Sequence, residues 1–385
     1  MKLCEASPIH WRQRRGYRLC NGVVELTVLL GGGHIADFRL CGSSCNVLFE
    51  SPWNTIEPSQ YSPELHSSNY GESPIGKFLS GFTGHALVIG YFGMPTPAEA
   101  ARGLPLHGEA ACTEWQVRSS TADLKGASLC FDAALPVYQL KVTRTFRVSS
   151  AACSVLIEEQ LTNLGNADLD YQWVEHATFG EPFFALGDGQ LFLSAKQGRT
   201  WPEGYEGKEL LVSNSNFEWP WVQSVDGDVV DLSRAFLRGG TGFVAALLTD
   251  AQRSHAFAAV QNQRLNLVAG YLFDRHRFPW IALWEENCAR QYAPWNGKTR
   301  ARGIEFGTSP MPVGLVAARQ MKTLLDTPVF ATLPAGDTVT TSYQLFTTDV
   351  PADWSGIAGL DGKENALLML DARGRSLTIP ASQKA

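Results

Sequence analysis

The strongest constraint on this chain is its rhythm. Short runs that alternate apolar and polar residues, rich in β-branched and aromatic side chains, recur at roughly ten-residue spacing. Ala127–Phe131, Tyr138–Val148, Ser154–Thr162 and Leu169–His176 are the clearest. Val23–Leu30, Gly242–Leu248, His255–Val260, Leu265–Phe273, Trp280–Trp284, Gly303–Phe306 and Thr338–Thr347 read the same way. Turn formers separate the runs, as at Leu164-Gly165-Asn166, Gly187-Asp188-Gly189 and Gly239-Gly240. With no amphipathic helices between them, such strands close on one another as a sandwich or barrel rather than as βαβ units.

Few helices are expected. Thr96–Ala101 reads as a single turn with Thr96 as N-cap and Pro97 in the first helical position. Gly314–Leu325 reads as a second short helix. Residues 50–80, rich in Pro, Ser, Asn and Tyr, read as a long loop of the kind that overhangs binding sites. The segment after Trp354, about 355–385, reads as a fraying tail. The expectation is one large antiparallel all-β domain over 1–385, its core spanning about 20–350.

Composition narrows the function classes. Of 385 residues, 44% are apolar and 18% charged, which excludes disorder and coiled coil. Thirty-two basic against 38 acidic residues give a net charge of −6, without the basic face of a nucleic-acid binder. No apolar run approaches a membrane span, and the first twenty residues lack the apolar stretch of a signal peptide. A cytoplasmic protein, monomer or homodimer, with no nucleic-acid or membrane partner is the expectation. The eight cysteines are scattered. Cys41 and Cys45 alone are close, and one C-x₃-C is a weak zinc signal, so reduced thiols are expected.

Eleven tryptophans hint at carbohydrate, because apolar sugar faces stack on indoles while polar groups hold the hydroxyls. Three segments sharpen the hint: GLPLHGEAACTEWQV (103–117), LDYQWVEHATFGEPFF (169–184) and FPWIALWEENCARQYAPWNGKTRARGIEFGTSPMP (278–312). With GGHIADFRL (32–40) and VLIEEQLTN (155–163), they resemble, in order, the galactose mutarotase-like superfamily, which includes the aldose 1-epimerases. The resemblance covers about residues 20–350. It implies a supersandwich of twisted antiparallel sheets, with His107, His176 and Glu305 in the places of that family's two histidines and carboxylate. The implied activity interconverts the anomers of a free or phosphorylated sugar.

Acid/base chemistry suits that set. Ring opening needs one proton removed from the anomeric hydroxyl and another delivered to the ring oxygen. Glu305 is assigned as base, His176 as acid, and His107 as a donor that orients the ring. A neighbouring carboxylate raises a histidine pKa, so Glu305 is expected to keep His176 protonated. Strand alternation turns Glu175 away if His176 faces the cleft. His85 stands near the place of an arginine in the best known epimerases and is assigned, with Trp173, Trp284, Glu286 and Glu109, to substrate binding. The segment Tyr205–Trp221 has no counterpart in that family. No metal site and no cofactor are expected: histidines at i and i+4, a phosphate loop and a Gly-x-Ser-x-Gly elbow are all missing from the sequence. A carbohydrate-binding protein without turnover, or a lyase or glycosidase acting on an oligosaccharide, are the competing readings.

Overall fold

A computed structural model describes residues 3–384. Most of the chain lies in antiparallel sheets, and the α-helices among the described residues are four, of five to eight residues each. One large sheet begins at the edge strands Glu5–Trp11 and Arg14–Cys20. It runs through Val24–Leu29, Ile35–Leu40, His85–Gly90, Leu169–Gly180, Arg300–Gly307, Trp280–Asn287 and Thr241–Thr249 to short strands beyond. An eight-stranded sheet faces it, built from strands that include Ser154–Asn163, Leu267–Asp274 and Thr338–Asp349. Leu26, Phe38, Leu87, Phe179, Ile281, Phe306, Val142, Phe146, Ile157, Tyr271 and Leu345 meet between them in the main core. The fold class is therefore the expected all-β sandwich.

Two-residue periodicity positions the site. Along Leu169–Gly180, Trp173, Ala177 and Phe179 face the main core. Val174, His176 and Thr178 fall on the opposite face. The same alternation sends Ile304 and Phe306 inward and leaves Gly303 and Glu305 on the outer, concave face. Glu175 pairs with Phe306 and Thr178 with Gly303, a register that sets His176 beside Glu305.

Three expectations need correction. Residues 50–80 are not one loop. Pro63–Tyr70 and Ile75–Gly81 are helices, and Phe78, Leu79 and Phe82 pack over the concave face. Each stretch, of seven or eight residues, is too short to show a helical period. The helix at 314 ends at Met321, and the tight hairpin of Thr323–Leu324 with Thr327–Pro328 replaces its last turn. The segment after Trp354 does not fray. It forms a three-stranded meander, Gly359–Lys363, Ala366–Leu370 and Ser376–Pro380, with its own core of Trp354, Ile357, Leu360, Met369 and Ile379 against Phe257, Leu272 and Phe346. Ser382 then donates its backbone N–H to Ser154 Oγ at 2.9 Å, which ties down the end. By contrast, Pro97–Ala101 carries the expected cap, completed by a reciprocal bond between Thr96 and Glu99. Among the described residues no helix is long and apolar enough to cross a membrane.

Candidate active site

A cavity of about 500 Å³ opens on the concave face. His107, His176 and Glu305 line it, together with Trp201, Trp284, Trp295, Phe78, Phe82 and Phe92. His176 Nε2 lies 3.3 Å from Glu305 Oε1, and its Nδ1 lies 3.3 Å from Thr178 Oγ1. The approach of Glu305 is off the line of an imidazole N–H, and Oε1 has no hydrogen-bond partner among the described residues. Position 303 is glycine for a local reason. A Cβ there would stand 2.2 Å from Glu305 Oε1 and 3.2 Å from the Trp284 ring, so only a bare backbone leaves the carboxyl its place.

His107 sits in a left-handed turn, φ +65°, followed by Gly108. Its backbone N–H donates to Gly93 O at 3.0 Å, and Gly93 N–H donates to His107 Nδ1 at 3.1 Å. With Nδ1 accepting, the ring proton belongs on Nε2, so His107 is a donor. The two imidazoles stand 5.3 Å apart, centroid to centroid, with Phe78, Phe82 and Phe92 around them.

That aromatic wall decides the protonation. Burial pushes His176 down to about 3 and pushes Glu305 well above the usual carboxylate range. His107 is lowered too, by burial first and by His176 second. Glu305 therefore does not hold His176 protonated, contrary to the expectation from pairing. Desolvation disfavours both charged forms more than their mutual attraction favours them.

The remaining residues divide. Trp284 lines the cavity, and its Nε1 donates to Tyr205 Oη at 2.8 Å. Glu286 lies behind that wall. It accepts from Tyr205 Oη at 3.0 Å and from the Ala289 and Arg290 backbone N–H groups, which makes it a support rather than a contact. Glu109 accepts the backbone N–H groups of Val137 and Tyr138 and does not line the cavity.

His85 and Trp173 are corrections as well. Both are fully buried on the opposite face, inside the sandwich. His85 Nε2 lies 2.8 Å from Glu175 Oε2 and Nδ1 lies 3.0 Å from Tyr271 Oη, while Trp173 Nε1 donates to Glu175 Oε1 at 2.7 Å. Glu175 points away from the cleft, as alternation predicts.

Sequence reading missed the far wall. Tyr205 and Glu206 come from the segment without a counterpart, Glu203 from just before it, and Arg290 and Tyr292 from the loop after Asn287. Arg290 donates to Tyr205 Oη at 2.6 Å and to Glu206 Oε1 at 2.7 Å, and its guanidinium lies 4.5 Å from the Tyr205 ring centre. The only advance signal was the cluster of Trp and Tyr in those segments.

No known family profile and no curated protein matches the chain. Solved structures do. A candidate aldose 1-epimerase from Klebsiella pneumoniae subsp. pneumoniae MGH 78578 superposes with a TM-score of 0.62 at 17% identity, over 91% of this chain and 85% of its own. A galactose mutarotase-like protein from Clostridium acetobutylicum gives 0.60 at 14%, over 91% and 100%. A galactose mutarotase related enzyme from Lactobacillus acidophilus gives 0.55 at 10%, over 87% and 99%. The chain shares the fold of these structures.

Proposed function

From this fold and the chemistry of the cleft we propose that the chain is a sugar mutarotase, an isomerase of the aldose 1-epimerase type. The observation that carries the reading is the 3.3 Å approach of His176 to Glu305 at the base of an aromatic cavity, with the His107 donor beside them. The volume, about 500 Å³, lies in the range of small-ligand sites.

The mechanism follows from one shared proton. Burial by itself favours a neutral carboxyl and a neutral imidazole. Moving that proton from Glu305 to His176 gives a carboxylate base and an imidazolium acid without changing the total charge. Sugar hydroxyls that hydrogen-bond to the pair replace lost water and favour the charged form. Glu305 then takes the proton of the anomeric hydroxyl, and His176 delivers its proton to the ring oxygen as the bond from C1 breaks. Rotation about C1–C2 presents the other carbonyl face, and the reverse transfers close the ring as the second anomer. His107 donates to a sugar oxygen and fixes the ring against the Trp284 face.

The test is relaxation of optical rotation, or of the anomeric proton signal, for freshly dissolved aldoses and their phosphates. Acceleration above the buffer rate supports the reading. Unchanged relaxation across the panel overturns it.

A further inference from the structure

We propose that Cys20, Cys41 and Glu25 form a binding site for one thiophilic divalent cation of the zinc class. The two sulfurs lie 3.5 Å apart, and the three donor atoms lie within 4.8 Å of one another. Two thiolates on a tetrahedral zinc, each at about 2.3 Å, would stand about 3.8 Å apart. The observed separation is close to that. It is well outside a disulfide bond, which needs roughly 2.05 Å.

The strands create this meeting, since the residues are not adjacent in sequence. Cys20 ends the strand Arg14–Cys20 and is the cross-strand partner of Glu25 in Val24–Leu29. Cys41 follows Ile35–Leu40, and its N–H donates to Val23 O at 2.8 Å, which carries it back beside the same hairpin. The turn between the first two strands is rigid. Asn21 Oδ1 accepts the N–H groups of Val23 and Val24, and its Nδ2 donates to Ser149 O and Ala152 O.

Two observations suit a cation. Glu25 has no ion-pair partner among the described residues, because Arg39, its neighbour across the ladder, bonds Asp37 instead. Gly22 N–H donates to Cys20 Sγ at 3.4 Å, the kind of contact that steadies a metal-bound thiolate. All three residues are half-buried, so water has access for the fourth position. Binding releases both thiol protons to solvent and leaves the sulfurs unoxidised. Cys45, the near neighbour in sequence, is outside the cluster, its Sγ turned to Asn46 O at 3.7 Å.

The experiment is a Cd²⁺ titration of the reduced, untagged full-length chain, followed by the sulfur-to-metal charge-transfer band and reversed by Zn²⁺. One equivalent with two-thiolate intensity is expected. Cys20→Ser and Cys41→Ser should abolish it, Glu25→Gln should weaken it by about tenfold or more, and Cys45→Ser should leave it unchanged. A second measurement needs no variant: Zn²⁺ should protect Cys20 and Cys41 of the unmodified chain from iodoacetamide. No saturating band, or a band that survives Cys20→Ser with both thiols still alkylated, overturns the site. So does a chain that binds no Cd²⁺ when reduced and instead joins Cys20 to Cys41 under a disulfide oxidant.

Discussion

The strand Leu169–Gly180 carries two histidine–glutamate pairs on its two faces, and they have opposite fates. Inside the sandwich, Glu175 meets His85 at 2.8 Å, and both its oxygens are occupied, by Trp173 on one side and by His85 and Tyr343 on the other. Arg144 adds its charge 3.5 Å away. On the concave face, one residue further along, His176 meets Glu305 at 3.3 Å, and Glu305 Oε1 is left without a partner beside a cavity. Proximity of an imidazole to a carboxyl is thus no mark of chemistry. The inner pair is saturated and rigid. The outer pair keeps an unspent acceptor where a ligand can enter.

The largest expected effect separates the two faces by activity. Glu305→Gln should lower mutarotation by about 10²–10⁴-fold while the protein stays folded and still binds sugar. Retained activity would break the contrast at its centre. The converse is Glu175→Ala, which strands Trp173 Nε1 and takes the carboxylate from His85 Nε2, while Tyr343 and Arg144 keep Glu159. A loss of about 3–5 kcal/mol in urea unfolding is expected, with normal turnover per folded molecule.

Acid should sharpen the comparison next. His176 is neutral in the fold down to about 3, whereas its unfolded imidazole gains a proton below about 6.5. Its depressed pKa therefore withdraws stability as pH falls from 6.5 towards 3. Glu305 titrates in the opposite sense, its raised pKa favouring the fold at low pH and costing stability as pH rises above 4.5. His176→Gln removes only the first contribution. Relative to the unaltered chain, it should gain about 2 kcal/mol between pH 7.5 and pH 5, read from urea midpoints at the two pH values. A constant gap would mean that His176 takes up its proton in the fold over the same pH range as in the unfolded chain. The smallest effect is expected at the far wall. Tyr205→Phe releases Trp284 Nε1, Arg290 and Glu286 together and should cost about 1 kcal/mol, seen as a lower melting temperature and a raised KM.

What was legible in the sequence followed the period of two. The alternation in LDYQWVEH placed Glu175 and His176 on opposite faces, and the motif order brought His107, His176 and Glu305 together. His85 escaped because all six residues of His85–Gly90 are buried, so no alternation shows which face is core. Trp173 was legible on its strand, because it shares the parity of Glu175 and the alternation that turns Glu175 from the cleft turns Trp173 with it. Glu109 and Glu286 look like sugar ligands in sequence, but each is consumed by backbone N–H groups that only the folded chain supplies. The helices of 63–81 and the C-terminal meander are held by tertiary packing rather than by local pattern, and a reading of local pattern passes over them.

Gly303 carries one more consequence. The cleft's acid group occupies space that any side chain on the neighbouring strand position would claim, so an alanine there would displace the carboxyl by crowding alone. A single added methyl, changing no ionisable atom, would move the acid that the proposed chemistry needs. The emptiness at that position is as much a part of the machinery as the groups around it.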